Sequence, residues 1–309
     1  MTTLYLGTRK SALALWQANH VRERLLACHR DLTITLVPMT TEGDRRLGGP
    51  LVETGGKALF TKELEQGLLE RRIDLAVHSM KDVVAELPAG LVIAAILERE
   101  DPRDALIAGP GATLAALPAG LRVGTESLRR RAQIQAVRPD LQLAGLRGNV
   151  NSRLARFDRG EYGALILAAA GLKRLGFTDR ISSYLEPDIS LPAAAQGAIG
   201  IECRAHDDAT QAYVTALHHP DTAVCVQAER IVNAVLAGGC RLPIGAFATL
   251  EGPDIRIRGL VGEPDGRHLL RAERRGERGA AASLARAVAE DLLHQGAGRI
   301  IDALRNSAP

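Results

Sequence analysis

The sequence has few aromatic residues and little net charge. Aromatic side chains make up 3% of the 309 residues, so the chain lacks the stacking platforms of proteins that bind single-stranded nucleic acid. The formal net charge is only +3, and the arginines are scattered over many segments rather than gathered in one block. We therefore expect no nucleic-acid partner.

Cysteines and long apolar runs are scarce as well. The four cysteines lie far apart, with no C-x-x-C pair and no histidine at zinc-ligand spacing, so we predict neither disulfides nor a metal site. No segment approaches the roughly 18 apolar residues of a membrane span, and residues 1–10 lack a signal-peptide core. We expect reduced thiols, no membrane partner and a cytoplasmic location.

The first two-thirds of the chain alternates short apolar runs with helical patterns, such as a predicted helix with Ala14, Ala18, Val21 and Leu25 on one face, which is typical of an α/β fold. The predicted strands lie at residues 4–6, 32–36, 75–78, 91–96, 121–124, 141–144, 164–168 and 198–201. A charged, proline-bearing stretch at 98–104 and the segment around Leu191 and Pro192 indicate crossings between domains. The length favours two or three domains.

Two predicted strand-to-helix junctions repeat the same residues. Gly7 and Thr8 precede Ser11, and Gly124 and Thr125 precede Ser127. Hydroxyl residues at a helix start cap free N–H groups and leave others for an anion. The alternative is that Gly-Thr is only a favourable strand-to-helix turn.

Arginines lie near the same junctions. Guanidinium groups bind carboxylates through paired, charge-assisted hydrogen bonds, so several together suggest a ligand with several acid groups. Taken singly, each arginine is better explained as a solvated or surface-paired residue. The candidates are Arg9, Arg129, Arg130, Arg147, Arg153 and Arg174.

The segment 77–83 leaves an apolar strand and ends in an adjacent cation and anion, Lys81 and Asp82. Strand ends carry the sites of many α/β proteins. Asp82 could stabilise a developing positive charge or accept a ring N–H, and Lys81 could bind an acid group. A surface ion pair is the alternative. We expect His78 to be a hydrogen-bonded strand residue rather than a base.

After about Pro220 the pattern changes to that of a small α+β domain. A helix predicted at 222–237 carries Val224, Ala228, Ile231 and Val235 on one face and ends at Gly238, and Cys240 follows on a loop beside Arg241. A cationic neighbour favours the thiolate, the form that attacks electrophilic carbon. The alternative is a buried packing residue, which is also our interpretation of the other three cysteines, Cys28, Cys203 and Cys225.

Seven motifs in order give the chain a resemblance to the porphobilinogen deaminase (hydroxymethylbilane synthase) family. They lie at residues 7–11, 15–17, 55–60, 78–82, 127–130, 146–150 and 238–240. The resemblance implies two periplasmic-binding-protein-like (type II) α/β domains around a cleft and a small α+β C-terminal domain. The predicted crossings fit this plan, with a first α/β domain at 1–97 and 198–217, a second at 98–197 and the C-terminal domain at 218–309.

The resemblance also implies an activity. Such a transferase joins four porphobilinogen units head to tail with loss of ammonia, giving hydroxymethylbilane for tetrapyrrole and haem biosynthesis. A dipyrromethane cofactor is bound covalently, as a thioether, through Cys240. Asp82 is then the catalytic residue, Lys57 and Phe60 belong to a lid loop, and the protein is a monomer. The residues implied to bind cofactor and substrate are Arg9, Ser11, Gln17, Lys81, Thr125, Ser127, Arg129, Arg130, Arg147, Arg153, Arg174, Gln196 and Gly197.

The chain departs from the family pattern at Ala12, Val84, Glu126 and Ala195. Because a carboxylate at Glu126 would repel an acidic substrate, we expect it to point away from the arginines. A different class of function stays open, namely a non-enzymatic, two-lobed cytoplasmic sensor of a carboxylate ligand. That function would not need Cys240.

Overall fold

A computed structural model describes residues 1–41, 61–236 and 242–306. The chain forms two compact units. Unit 1 comprises Met1–Glu100 and Ala198–Ala223, and unit 2 comprises Asp101–Gly197 and Val224–Pro309. The finer division into three domains stays a prediction.

Unit 1 is built on a five-stranded mixed sheet in the order β2-β1-β3-β10-β4. Strand β1 runs parallel to β2 and β3, whereas β10 is antiparallel to β3 and β4. The strands are β1 (Thr2–Arg9), β2 (Leu32–Met39), β3 (Leu75–Ser79), β4 (Leu91–Ile96) and β10 (Ile199–Arg204). The helices of this unit are α1 (Ala12–Cys28), α2 (Lys62–Leu69) and α6 (Asp208–Thr215).

Helix α1 shows why these residues form these elements. Ser11 caps its first turn by accepting a hydrogen bond from the Ala14 N–H, which satisfies one of the free N–H groups at the helix start. Ala18, Val21 and Leu25 then recur on one face and are fully buried. This face packs on the same core as Leu4 and Leu6 of β1, so the predicted helical stripe is confirmed.

Unit 2 contains a second five-stranded mixed sheet, in the order β7-β6-β8-β5-β9. Here β6 is parallel to β7 and β8, and β5 is antiparallel to β8 and β9. The strands are β5 (Asp104–Ile107), β6 (Arg122–Gly124), β7 (Gln142–Ala144), β8 (Ala164–Ala168) and β9 (Ser183–Leu185). The helices that go with this sheet are α3 (Leu128–Val137), α4 (Val150–Asp158) and α5 (Ala169–Arg174).

The two sheets share one plan. In each, three parallel strands are followed by an antiparallel fourth strand, which comes from the part of the chain next to a predicted crossing. The α/β prediction is therefore confirmed, and each of the eight predicted strands appears. Strands β5 and β9 were not predicted.

The rest of unit 2 is an antiparallel sheet covered by helices, as the α+β prediction requires. The sheet joins β11 (Ile244–Glu251), β12 (Asp254–Gly262) and β13 (Leu269–Glu277). Gly252, at φ +65, makes the tight turn between β11 and β12, a conformation that favours glycine. Three helices accompany it, α7 (Pro220–Val235), α8 (Ala281–His294) and α9 (Ala297–Asn306).

The stripe predicted for α7 is confirmed. Ala228 is fully buried in the core of this layer, and Val224, Ile231 and Val235 pack against the same core. The helix begins with Pro220, whose fixed φ and missing N–H suit a first helical position. Cys240 lies outside the described residues.

Candidate functional site

A polar pocket lies in unit 1, where β1 and β3 end and α1 begins. Four of the predicted site residues line it together, namely Arg9, Ser11, Gln17 and Asp82. The other lining residues are Leu13, Ala14, Thr61, Val77, His78 and Ser79. The sequence motifs at 7–11, 15–17 and 78–82 thus converge on one cavity.

Asp82 is positioned by a short turn. Residues Met80–Asp82 form a single 3-10 turn directly after β3, and the Met80 N–H donates to the Ala198 carbonyl at 3.0 Å. The Met80 side chain is buried while Lys81 is exposed and Asp82 is half-buried. This bond anchors the start of the turn, and Asp82 at its end lines the pocket.

A hydrogen-bonded pair joins α1 to the end of β3. Gln17 Nε2 donates to Ser79 Oγ at 2.9 Å, and the Ser79 hydroxyl donates to Gln17 Oε1 at 3.2 Å. Gln17 is almost completely buried, so the exchange satisfies polar groups that have lost water. In this structure Gln17 therefore supports the turn that carries Asp82.

A buried acid lies behind the pocket. His78 Nε2 is 2.8 Å from Glu202 Oε2, and both side chains are buried. The expectation that His78 is a hydrogen-bonded strand residue is confirmed.

The charge of Glu202 also acts on a second acid, Glu65. Burial raises the pKa of the Glu65 carboxyl, and the charge of Glu202 raises that pKa further. Glu202 was missed because it stands in the apolar run of β10, where only its charge sets it apart.

The repeated Gly-Thr junctions share their helix caps, although their threonines make different contacts. The Thr8 hydroxyl donates to the Ala14 carbonyl at 3.0 Å, and the buried Thr125 donates its N–H to the Ala144 carbonyl at 2.9 Å. Ser127 caps α3 as Ser11 caps α1. Capping at these helix starts is confirmed, while anion binding there stays a prediction.

The glycines at these junctions allow close packing. A Cβ on Gly7 would come within 2.3 Å of Ile73 Cδ1, and a Cβ on Gly124 within 2.7 Å of Leu165 Cδ2. Both distances are far below van der Waals contact. The junction therefore needs glycine so that a neighbouring side chain can pack against the backbone.

Two of the predicted acid-binding arginines surround a buried aspartate of unit 2. Arg129 Nη1 donates to Asp104 Oδ2 at 2.8 Å and to the Leu191 carbonyl at 2.6 Å. Arg130 Nε donates to Asp104 Oδ1 at 3.0 Å. The pair is buried, with exposed side-chain fractions of 3% for Arg129 and 0% for Asp104. These bonds serve the fold, and the roles of Arg129 and Arg130 toward a ligand stay predictions.

The electrostatics of Asp104 follow from these contacts. Burial by itself would raise the pKa of the carboxyl, but the charges and hydrogen bonds of Arg129 and Arg130 lower this pKa by more. The pKa of Asp104 therefore lies well below its usual range, and the carboxylate is ionised inside the protein.

The loop that carries Gln196 and Gly197 is held by hydrogen bonds to other residues of unit 2. Gln196 Nε2 donates to Asp104 Oδ1 at 2.9 Å, and Arg174 Nη2 donates to the Gly197 carbonyl at 2.6 Å. Ala195 has φ +61, a left-handed conformation that is costly for a residue with a Cβ. A glycine at this position would adopt the same conformation without this strain.

A glutamate that sequence analysis missed fixes the same loop. Glu229 of α7 is fully buried, and its Oε2 accepts the Ala195 N–H at 2.6 Å. Its Oε1 accepts the Ala248 N–H at 2.8 Å. One carboxylate therefore ties the loop before Gln196 to strand β11. In the sequence, only its position within an apolar helical run could have indicated that Glu229 is buried.

The expectation for Glu126 is wrong. Instead of pointing away from the arginines, its Oε1 accepts from Arg147 Nε at 2.9 Å. We had considered only the repulsion between Glu126 and an acidic substrate. The attraction between the opposite charges of Glu126 and Arg147 explains the observed position. Arg153 lies half-buried on α4.

The remaining cysteines divide into two kinds. Cys203 and Cys225 are buried, as expected for packing residues, and burial raises the pKa of Cys203 to about 11. Cys28 is exposed, so its interpretation as a packing residue is wrong: it is the last residue of α1 and lies beyond Leu25, where the buried face of the helix ends. Lys57, Phe60 and Cys240 lie outside the described residues.

Within 1–41, 61–236 and 242–306, no group of three or more His, Cys, Asp or Glu side chains could hold a metal ion. Every helix in these ranges is too short or too polar to cross a bilayer.

The sheet topologies and the pocket define the chain first as an α/β protein with a polar site at the ends of parallel strands. Solved structures that align with it include solute-binding proteins. The substrate binding domain of a putative molybdenum ABC transporter from Clostridium difficile is 10% identical with a TM-score of 0.44, covering 74% of this chain and 96% of that chain. The periplasmic aliphatic sulphonate binding protein from Escherichia coli is 17% identical with a TM-score of 0.41, covering 74% and 68%. Similarities this low carry no conclusion about ligands.

Family models identify the chain more closely. The porphobilinogen deaminase, dipyrromethane cofactor binding domain matches residues 4–212, and the porphobilinogen deaminase, C-terminal domain matches residues 223–294. The chain belongs to the porphobilinogen deaminase family. It is a transferase of tetrapyrrole synthesis that acts on porphobilinogen and uses a dipyrromethane cofactor.

Proposed function

We propose that this chain is a hydroxymethylbilane synthase whose dipyrromethane cofactor is attached through a thioether to Cys240. It joins four porphobilinogen units head to tail and releases one ammonia at each addition. The observation that carries the proposal is the pair of family matches, which together account for residues 4–212 and 223–294. A cytoplasmic location and a monomeric state are part of the same proposal.

The side chains of the pocket suit this cofactor and substrate. Both carry acid side groups and pyrrole N–H donors, so they need cations and carboxylate acceptors. Unit 1 offers Arg9 and Asp82 in one pocket, with Ser11 at a helix start between them in sequence. Guanidinium groups and helix starts favour bound acids, and an aspartate favours bound N–H donors. The side chains of this pocket therefore fit the acid groups and the pyrrole N–H groups of the dipyrromethane cofactor and of porphobilinogen.

In the proposed reaction, Asp82 has the catalytic role. Loss of ammonia from the aminomethyl group of porphobilinogen leaves an electrophilic methylene carbon with positive charge spread over the pyrrole. A carboxylate near the pyrrole N–H stabilises this charge and orients the ring. When bound, the dipyrromethane supplies the pyrrole carbon that forms the new bond.

The other assigned residues bind and attach. The Cys240 thiolate forms the bond that anchors the cofactor, since the thiolate is the nucleophilic form of cysteine. Lys81 and the predicted arginines bind acetate and propionate groups, with Thr125 and Ser127 at a helix start contributing N–H and hydroxyl donors. Lys57 and Phe60 are proposed to belong to a lid, which excludes water during the reaction.

The mass of the purified protein tests the attachment. We expect the intact chain to exceed the 33.0 kDa sequence mass by one dipyrromethane, and Cys240→Ser to have the bare mass. Cys28→Ser is the matched control, because Cys28 is an exposed thiol elsewhere in the chain, and this variant should keep the adduct. An active wild-type protein with an unmodified, alkylatable Cys240 would overturn the proposal and leave the carboxylate sensor as the better explanation.

Turnover tests the role of Asp82. Because the carboxylate acts on charge that develops in the transition state, Asp82→Asn should carry the normal adduct yet release ammonia at least about 100-fold more slowly. Ammonia release would be followed in a coupled assay. Turnover within threefold of wild type would remove Asp82 from the catalytic role.

A further inference from the structure

The ion pair between Glu126 and Arg147 has no counterpart in our expectations from the sequence. Glu126 follows β6 and Arg147 follows β7, and these strands are parallel neighbours paired as far as Gly124 and Ala144. Their side chains therefore project from the same edge of the sheet, where Arg147 Nε donates to Glu126 Oε1 at 2.9 Å. Both side chains are partly exposed, 39% for Arg147 and 37% for Glu126.

The first residue after β7 makes room for this pair. Gly145 has no Cβ, and a Cβ built there would lie 2.8 Å from Glu126 Oε2. The Gly145 carbonyl accepts a hydrogen bond from the Tyr162 hydroxyl at 2.7 Å, which fixes the turn. The carboxylate thus occupies a space that the backbone leaves open beside Arg147.

We propose that Glu126 is an internal competitor for the acid groups of porphobilinogen at Arg147, and so a residue that sets substrate affinity. The inference rests on the proposed function, which assigns Arg147 to acid binding. An incoming carboxylate must either displace Glu126 from the guanidinium or share Arg147 with a second negative charge. Each route reduces the free energy gained on binding, so the wild-type chain binds its substrate less tightly than it would without this charge.

Removing the charge should increase affinity without changing the chemistry. Glu126→Gln keeps the shape of the side chain and an oxygen that can accept from Arg147 Nε. Exposed ion pairs of this kind correspond to equilibrium changes of about 1.5- to fivefold, so we expect KM for porphobilinogen to fall by about the same factor. The value of kcat should change by less than twofold, because the competition concerns binding of the acid group.

Three further variants make the test specific. Arg147→Ala should raise KM, and in that background Glu126→Gln should have no further effect, because the site of competition is gone. Gly145→Ala should push the Glu126 carboxylate from the pair and lower KM, but not when Glu126 is already glutamine. Glu161→Gln is the matched charge control, since Glu161 pairs with Arg156 and Arg159 in the same unit, and its KM should equal that of wild type.

A binding measurement gives a readout that does not depend on turnover. In the slow Asp82→Asn background, calorimetry with porphobilinogen should show tighter binding when Glu126 is replaced by glutamine. The difference should shrink as salt rises from about 0.05 to 0.5 M, because both groups are partly exposed and screened by ions.

The outcomes separate the inference from the function. If wild type releases no ammonia from porphobilinogen, the proposed function fails and the inference fails with it. If wild type turns over but Glu126→Gln leaves both KM and the calorimetric affinity unchanged, only the inference is wrong. An equal effect in the presence and absence of Arg147 would also overturn it, because the change would then not act through that guanidinium.

Discussion

Replacing Asp104 with asparagine tests whether one buried carboxylate holds unit 2 together. Asp104 begins β5 and is fully buried. It accepts hydrogen bonds from Arg129, Arg130, Ser190 and Gln196 at 2.7 to 3.1 Å. Asparagine preserves its volume and removes its charge.

The expected loss follows from these contacts. Without the carboxylate, Arg129 and Arg130 retain two positive charges that are 3% and 7% exposed and have lost their shared counter-ion. Breaking a buried ion pair costs about 3–5 kcal/mol. The new amide also places a donor against the donors of Arg129 and Ser190 on one side of the residue. We therefore expect Asp104→Asn to lower the free energy of unfolding by about 3–5 kcal/mol.

Urea denaturation at pH 7, followed by circular dichroism, measures this change. The matched control is Asp188→Asn. Asp188 pairs with Arg258 but its side chain is 89% exposed, so this replacement should lower the free energy of unfolding by less than about 1 kcal/mol. An Asp104→Asn loss below 1 kcal/mol, equal to that of the control, would refute the reasoning.

The same pair predicts a pH dependence. The pKa of Asp104 is lowered on folding because the opposing charges of Arg129 and Arg130 outweigh the effect of burial. A lowered pKa stabilises the fold above the unfolded value of about 3.9, and this stabilisation is lost as the pH falls toward the folded value. The gap between wild type and Asp104→Asn should therefore narrow by up to about 1.4 kcal/mol per pH unit below pH 3.9.

Two other predictions concern the loop before Gln196. Glu229→Gln should lower the free energy of unfolding by about 2–3 kcal/mol in urea, because an amide cannot accept the N–H groups of both Ala195 and Ala248; a loss under 0.5 kcal/mol would contradict the described contacts. Ala195→Gly should change stability by less than about 1 kcal/mol, because relief of the left-handed strain offsets the lost methyl group and added chain entropy. The same replacement at Ala246, which is equally buried without a positive φ, should cost about 1–2 kcal/mol, and equal losses at the two positions would show that the strain contributes little.

Local patterns in the sequence were enough to predict much of the fold. The apolar runs gave eight strands in the right places, and the stripes of α1 and α7 identified their buried faces. Ser11 and Ser127 were recognisable as caps because a hydroxyl at a helix start bonds within its own turn. The motifs at 7–11, 15–17 and 78–82 also placed Arg9, Gln17 and Asp82, which line one pocket.

Features that depend on distant parts of the chain were not predictable in this way. Strand β5 was hidden because Asp104 ends a charged stretch that resembles a loop, and only pairing with β8 and β9 makes it a strand. Glu202 and Glu229 carry no local sign of the buried partners that hold them.

The sequence alone thus determined the α/β order, the helix starts and the family motifs, since each arises from residues within a few positions of one another. Tertiary structure alone decided which charges would be buried, that Ala195 would be strained and that Glu126 would pair with Arg147. Ion pairing and desolvation depend on distance in space. Glu126 and Arg147 are 21 positions apart and become neighbours only when β6 and β7, which they follow, pair in the sheet.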